Sequence, residues 1–286
     1  MKPSRPAAAI LGSALGLAFL ATVAVAGEPG RSGWYISAAG GAGLMADMRQ
    51  AGTNRDTTCY PNDSCAGLVL DGYRWVYDLE ADRGSTFEVA LGYRIDGIRI
   101  ELSARQLASD LGHRFRSVSL LDGSTVPADP SSPYQGQTET SLDALESRAL
   151  SINLYRDLEL PGTALTPYLG VGGGVSWTEV TGLYYRNRYS CPADCDAGPP
   201  DRFESWQETD LSDMVLSGHL HAGMDYRVSD AFSLGVKLTY SVMQDMEDES
   251  SYHVHAIDGM TSTTTISEMS QFSVLFGVSY HFGEFR

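Results

Sequence analysis

The amino-acid sequence predicts an all-β fold of eight antiparallel strands, and three features of the chain support this. Large apolar side chains recur at every second position in several segments, as expected for strands with one apolar face. Short and long connections alternate between these segments. The last segment is rich in aromatic residues. Together these features predict a transmembrane antiparallel up-and-down β-barrel with short periplasmic turns and long extracellular loops.

The strand boundaries follow from the alternation and from the turn signals between strands. Asp96-Gly97 and Pro161-Gly162 mark two of the short turns, and Ser229-Asp230 marks the third. The predicted strands are 33–45, 85–95, 98–108, 145–158, 165–179, 214–228, 231–243 and 269–282. A hairpin within one of the long connections, for example at 68–84 between the first and second strands, would raise the count to ten strands.

The alternation leaves open which face of each strand points inward. In the third strand, Ile100 and Leu102 share one face, whereas Arg99 and Glu101 share the other. A water-soluble barrel would place the apolar face inside, and a transmembrane barrel would place it against lipid. The N-terminal signal, the alternating loop lengths and the aromatic last strand favour the apolar face outward.

The first 26 residues have the features of a secretory signal. A basic start precedes an apolar run, and small residues follow at Ala24-Val25-Ala26. We expect cleavage between Ala26 and Gly27, which leaves 27–286 as one barrel domain. A membrane-anchoring helix is the alternative, but the apolar run is short and lacks stop-transfer charges. Export directs the chain to the outer membrane of a Gram-negative bacterium.

The charge of the chain limits its partners. It carries 36 Asp and Glu against 20 Lys and Arg, a formal net charge of −16. No nucleic-acid partner is expected, because the chain lacks the cations that would neutralise phosphates. Acidic residues concentrate in predicted loops such as 245–249, where a solvated surface is favoured over cation-bridged contact with anionic lipid. The expected partners are outer-membrane lipids and a host or cell-surface ligand bound through the long loops. A monomer is expected.

Charged and polar side chains on the predicted inner face form a lumen charge network. An eight-stranded barrel is just wide enough for side chains to fill, and an isolated buried charge is very costly. We therefore expect the charges to pair and to plug the lumen, and a narrow or gated pore is the alternative. The network residues are Glu88, Arg94, Arg99, Glu101, Arg105, His219, His221, Asp225 and Lys237.

Four cysteines lie in two of the long connections. An even number of cysteines in an exported protein predicts disulfides. The local pairs Cys59–Cys65 and Cys191–Cys195 are favoured, because the members of each pair are few residues apart around turn-forming residues. Bridges between the two loops are the alternative. No histidine lies at ligand spacing beside either pair, so a metal site is not expected.

No catalytic, cofactor or metal site is predicted. Ser279 and His281 are the nearest Ser–His pair, but they fall on the inner face at the periplasmic end, away from outer-leaflet lipid. His253 and His255 lie near acidic residues, and a solvated loop is favoured there over weak divalent-cation binding. The glycines of 170–175 lack the Lys-Ser/Thr of a phosphate loop. They are expected to make room for bulky lumen residues opposite.

Three segments carry a resemblance to a known family. The segments 34–41 and 166–175 and the aromatic final strand resemble the small outer-membrane β-barrel proteins, the opacity-type and OmpA/OmpX-like surface antigens of Gram-negative bacteria. The resemblance implies an eight-stranded barrel with a surface role, and it implies no single activity. The loops here are longer than in the smallest members, and four residues follow Phe282.

The sequence thus predicts an outer-membrane surface protein with a structural or adhesive role. The long acidic loops, rather than the barrel, are expected to carry recognition. A small gated pore and a lipid A-modifying enzyme are the alternatives.

Overall fold

The computed structural model describes residues 32–158, 160–192 and 200–282, and nearly all of its regular structure is antiparallel β-strand. Residues 1–26 and the expected cleavage site lie outside these ranges, so the signal and its removal stay predictions. The described residues contain a short 3-10 helix at Pro200–Phe203 and the strands β1 (Gly33–Met45), β2 (Met48–Asn54), β3 (Tyr73–Ala81), β4 (Arg83–Ile95), β5 (Ile98–Leu120), β6 (Gln135–Ser141), β7 (Ala144–Asp157), β8 (Leu165–Ser190), β9 (Ser205–Arg227), β10 (Phe232–Met243), β11 (Met246–Ser251), β12 (Thr261–Ser267) and β13 (Ser270–His281).

Eight of these strands close into a ring. The order is β1, β4, β5, β7, β8, β9, β10 and β13, and β13 pairs back with β1, where Tyr35 lies opposite His281. Ring closure pairs the backbone of every strand on both sides and leaves no free sheet edge at this level. The predicted eight-stranded antiparallel barrel is therefore confirmed.

The outside of the ring is apolar and its inside is polar. Ile100 is 54% exposed and Phe276 is 64% exposed, whereas Glu101 on the opposite face of β5 is only 4% exposed. Aromatic rings pack at the short-turn rim, where Trp34 lies 5.0 Å from Tyr93 between ring centroids. An apolar outer band with rim aromatics is the pattern of a transmembrane barrel, so the predicted outward direction is confirmed.

The described residues include no helix that is both long and apolar enough to cross a membrane.

The long connections contain far more strand than the sequence predicted. β5, β8 and β9 run beyond their predicted ends, and β2, β3, β6, β11 and β12 lie in segments that were expected to be loops. β3 lies within 68–84, where a hidden hairpin was considered, but it adds no strand to the ring. Only Asp82 separates β3 from β4, so β3 is the upward continuation of β4. We term the part of the barrel above the ring the crown; it comprises β2, β3, β6, β11 and β12 with residues 111–120, 181–190 and 205–210.

The acidic segment 245–249 corrects one prediction in particular. It forms most of β11, which pairs with β12 and places Met246 opposite Ile266 inside the crown. Glu247 and Glu249 are exposed on the opposite face, whereas Asp248 shares the face of Met246 and is half-buried. The segment is thus a two-faced strand rather than a solvated loop.

The crown wall has an opening on one side. Below Leu111, β5 pairs with β4 and β7; above it, β5 pairs with β3 alone among the described strands. The next crown strand, β6, pairs with β8 and not with β5. The facing edges of β5 and β6 therefore leave a gap, which we term the lateral opening.

Candidate functional site

The upper half of the lumen charge network joins three strands. Glu88 on β4 contacts Arg105 on β5, with 3.0 Å between Glu88 Oε2 and Arg105 Nε. Lys237 on β10 contacts the other oxygen of Glu88, and its Nζ lies 3.5 Å from Glu101 Oε1. All four side chains are buried. Each charge therefore has an opposite charge within contact distance, as burial requires.

The lower half of the network centres on Arg99. Its two terminal nitrogens lie 2.8 Å from Asp157 Oδ1 and 2.9 Å from Asp225 Oδ2. Arg94 reaches the second oxygen of Asp157 at 3.0 Å. Asp157 was not among the predicted network residues, although it falls on the inward phase of β7. With Asp157 included, four cations face four carboxylates in the lumen, so the network is neutral.

The two lumen histidines act as hydrogen-bonding links. The ring nitrogens of His219 lie 3.0 Å from Ser151 Oγ and 2.9 Å from Ser241 Oγ. His221 Nε2 lies 3.1 Å from Asn153 Oδ1. These bonds tie β9 to β7 and β10 and fix the orientation of both rings across the lumen.

Glycines make room for tyrosines in the same layer. The ring of Tyr155 occupies the position where a Cβ at Gly170 would stand, and Tyr35 does the same at Gly92. The hydroxyls of Tyr35 and Tyr155 donate to the two oxygens of Glu101 at 3.0 and 2.9 Å. The predicted role of the 170–175 glycines as space for bulky lumen residues is confirmed at Gly170.

An apolar plug lies above the charge network, at the level where the ring meets the crown. Leu145, Val180 and Ile266 have no exposed surface. The plug comprises Met45, Met48, Leu79, Leu107, Leu111, Leu142, Leu145, Val180, Leu183, Leu211, Val215, Met246, Ile266 and Met269. These inward residues come from nine strands and from two breaks between strands, at Leu142 and Met269, and they form an apolar layer across the barrel interior.

Above the plug, the crown encloses a pocket of about 510 Å³, which we term the crown pocket. Its volume lies within the ~300–1,000 Å³ of small-molecule sites. Its walls are aromatic and polar, and no Lys or Arg is among the described residues that line it. The tyrosines that line it are Tyr60, Tyr73, Tyr77, Tyr184, Tyr185, Tyr189 and Tyr252.

A disulfide-closed hairpin covers part of the crown pocket. Cys59 and Cys65 are bonded at 2.07 Å, as predicted. The hairpin is tied to the β5–β6 connection, where Asp63 bridges to Ala128. Cys191 is disulfide-bonded as well. Cys195 lies outside the described residues, so the pairing of Cys191 with Cys195 stays a prediction.

A buried carboxylate lies in the wall of the crown pocket. Asp56 is 1% exposed, and its oxygens accept hydrogen bonds from the Thr58 amide at 2.8 Å and the Tyr60 hydroxyl at 2.7 Å. His255 Nε2 lies 3.5 Å from Asp56 Oδ2. Burial lowers the pKa of His255, despite the opposing effect of Asp56. Burial, followed by the charge of Asp56, raises the pKa of Tyr60 well above its usual value.

The remaining candidate residues do not assemble into a reactive group. His281 Nε2 lies 3.1 Å from Ser233 Oγ, and its ring packs 5.6 Å from that of Tyr35. His253 packs against Trp206, with 4.8 Å between ring centroids, whereas His255 lies at Asp56. Within the described ranges, no group of three or more His, Cys, Asp or Glu is placed to hold a metal ion.

The closed ring, with its apolar outside and charge-paired inside, defines a small transmembrane β-barrel, the fold of small outer-membrane proteins. No family model matches the chain, and no curated protein matches its sequence.

Three solved structures similar to this chain are themselves outer-membrane or surface proteins. Neisserial surface protein A is 13% identical, with 88% of this chain and 99% of that chain covered and a TM-score of 0.43. OprG from Pseudomonas aeruginosa is 14% identical, with 88% and 98% covered and a TM-score of 0.43. The outer membrane protease OmpT from Escherichia coli is 10% identical, with 87% and 97% covered and a TM-score of 0.40. TM-scores below 0.5 do not by themselves establish a shared fold. The barrel fold of this chain is instead established by its strand pairing.

Proposed function

We propose that this protein is a surface protein of the Gram-negative outer membrane, with a closed barrel as scaffold and a crown that recognises a ligand outside the cell. The short turns face the periplasm and the crown faces outward, as in other outer-membrane barrels. Residues 1–26 direct export and are removed. The chain acts as a monomer, and it is not a catalyst.

The observation that carries this proposal is the closed lumen. The neutral charge network and the apolar plug lie one above the other across the same interior. Between them, beside Arg105 and Leu107, is a cavity of only about 10 Å³, which is room for about one water molecule. A continuous water path, which a pore requires, does not fit this arrangement. The crown is then the part of the molecule free to take a partner.

Conductance in a planar bilayer tests this role. We expect the purified protein to give no steady current. A variant with both layers shortened, Glu88→Ala, Arg105→Ala, Leu107→Ala and Leu145→Ala together, is expected to conduct and shows that the barrel has inserted. Steady unitary currents from the unaltered protein would replace the proposal with the gated-pore alternative.

Fractionation tests the location separately. We expect the protein in the outer-membrane fraction, with a mobility on gels that changes on boiling because a closed barrel resists detergent. A soluble periplasmic protein without this shift would contradict the location. A changed lipid A mass spectrum on overexpression would instead support the enzyme alternative.

A further inference from the structure

The described lining of the crown pocket contains two carboxylates and no Lys or Arg. The carboxylates are those of Asp56 and Asp63. The pocket therefore repels anions and attracts cations, most strongly beside the aromatic rings, where less water screens the charges.

The donors to Asp56 are neutral. The Thr58 amide and the Tyr60 hydroxyl carry no charge. The Ile257 amide donates to His255 Nδ1 at 3.1 Å, so the neutral imidazole carries its proton on Nε2, the atom that faces Asp56. Two neutral donors, with the neutral imidazole of His255 beside them, orient the carboxylate without cancelling its charge. A buried carboxylate in this state is stabilised further by any cation that approaches it.

The aromatic walls favour the same kind of ligand. Tyr60 stacks on Tyr189, with 5.6 Å between ring centroids, and lies 5.9 Å from Tyr73. Ring faces are electron-rich, and groups of them bind organic ammonium ions through cation–π attraction. An inorganic cation would gain less from these walls, because it would have to give up its water to carbon surfaces.

One buried polar atom of the pocket lacks a partner, and it is an acceptor. Asn62 Oδ1 is buried and has no hydrogen-bond partner among the described residues. A carbonyl oxygen can only accept. A ligand that brings N–H or polarised C–H groups would satisfy it, whereas a carboxylate or phosphate would not.

The lateral opening supplies an apolar end to the pocket. Phe115 is 57% exposed and Val118 is 50% exposed, and both line the pocket opposite Gly136 and Thr138 of β6. These β5 side chains face inward. β3 covers them on one side, where the Tyr77 ring lies 5.5 Å from that of Phe115, and no described strand pairs with β5 on the other side. They give the apolar part of a ligand a surface to pack on, away from the carboxylates.

We propose that the crown pocket binds a small organic ammonium ion with an apolar body. The ammonium group lies by Asp56 and Asp63 among the tyrosine rings, and the apolar body extends toward Phe115 and Val118. This inference rests on the proposed recognition role of the crown and gives its ligand a chemical class.

Calorimetry on the folded protein in detergent tests the proposal with three probes that share one aromatic ring. These are benzyltrimethylammonium, benzyl alcohol and phenylacetate. We expect saturable binding of the ammonium probe, at least tenfold tighter than benzyl alcohol, and no binding of phenylacetate. Equal affinity for the charged and neutral probes, or binding of phenylacetate, would overturn the proposal.

Variants locate the charge. Asp63→Asn is expected to weaken binding of benzyltrimethylammonium several-fold, and Asp56→Asn at least tenfold. Asp56 also accepts hydrogen bonds from Thr58 and Tyr60, so Asp56→Asn could weaken binding by disturbing the crown. If it does, Asp63→Asn is the variant that decides. Asp122→Asn is the matched control, since Asp122 is an exposed loop carboxylate bonded to Ser124. Unchanged affinity in Asp63→Asn and Asp56→Asn would overturn the charge argument.

The proposal and the proposed function fail in different measurements. A protein that shows the heat-dependent gel shift and no conductance, but binds none of the probes, would overturn the ligand class alone. A protein that conducts would overturn the closed scaffold, whatever it binds.

Discussion

Glu88 on β4 and Arg105 on β5 face each other inside the barrel, with 3.0 Å between Oε2 and Nε. Lys237 reaches the other Glu88 oxygen from β10, so one carboxylate holds together strands that are not neighbours in the ring. The pairing gives the barrel interior a structural role. It also makes the barrel sensitive to the loss of a single charge.

Replacing Glu88 with Gln is expected to destabilise the barrel by about 3–5 kcal/mol, because Arg105 and Lys237 would stay buried with less opposite charge. The measurement is the temperature at which the unboiled gel band converts to the boiled one. Glu146→Gln is the control, since Glu146 forms an exposed pair with Arg148 at 3.2 Å. Exposed pairs contribute ~0–1 kcal/mol. Equal shifts in the two variants would contradict a stabilising role for the network.

Replacing Gly170 with Ala is expected to destabilise the barrel by about 1–3 kcal/mol, the usual cost of overpacking. Its new methyl group would overlap the Tyr155 ring, which is held by the bond to Glu101. Gly173→Ala on the same strand is the control, because a Cβ there meets its nearest atom at 3.5 Å, an ordinary contact. The same gel transition measures both. A destabilisation by Gly173→Ala as large as that by Gly170→Ala would argue against the packing explanation.

Replacing Leu145 with Ala is expected to cost about 2–5 kcal/mol, because it leaves a cavity in the plug. No current is expected in a planar bilayer, since the charge network beneath still closes the lumen. Ile152→Ala is the control on the same strand, where the side chain is 65% exposed on the outer face. Conductance in the Leu145→Ala variant would show that the plug alone closes the barrel.

The eight strands of the ring were predictable because successive side chains in each strand face lipid and lumen in turn. Side chains that contact lipid are apolar along the whole length of a strand. The predicted bounds of β1 therefore match the observed ones, and the inward residues of β5 were identified at every second position. The inward positions of β5 continue to Leu107 and Leu111, so the alternation itself indicated apolar residues inside the barrel. The plug was missed because only polar residues were expected in the lumen. The alternation of β7 likewise places Asp157 on the inner face, so its membership of the charge network could have been predicted.

The crown was not predictable from the same pattern. Its strands face water on the outside and a polar pocket on the inside, so segments such as 261–267, in which six of the seven residues are Thr or Ser, show no apolar face. Their pairing depends on contacts between distant segments, such as β2 with β12. The crown pocket arises only when β3, β5, β6 and β8 are brought together, and no local spacing indicates it.

Acid is expected to loosen the crown, and His113 provides the reason. Burial lowers the pKa of His113 to about 4. The ring packs 4.0 Å from that of Tyr77 between centroids, and its Nε2 lies 2.9 Å from Gln50 Oε1. The ordinary pKa of histidine is about 6.5. The neutral ring therefore contributes its full stability above pH 6.5, and this contribution is lost as the pH falls toward 4, since the unfolded crown takes up the proton first.

The measurement is the rate of protease cleavage within the crown at pH 7, 5.5 and 4, using a protease active over this range, with the heat-dependent gel shift confirming that the ring stays folded. We expect cleavage to rise as the pH falls, and His113→Gln to show a flatter dependence because its side chain does not titrate. His253→Gln is the control, since His253 is exposed at the crown surface. If His113→Gln and His253→Gln keep the same steep pH dependence as the unaltered protein, the acid sensitivity of the crown arises from groups other than His113.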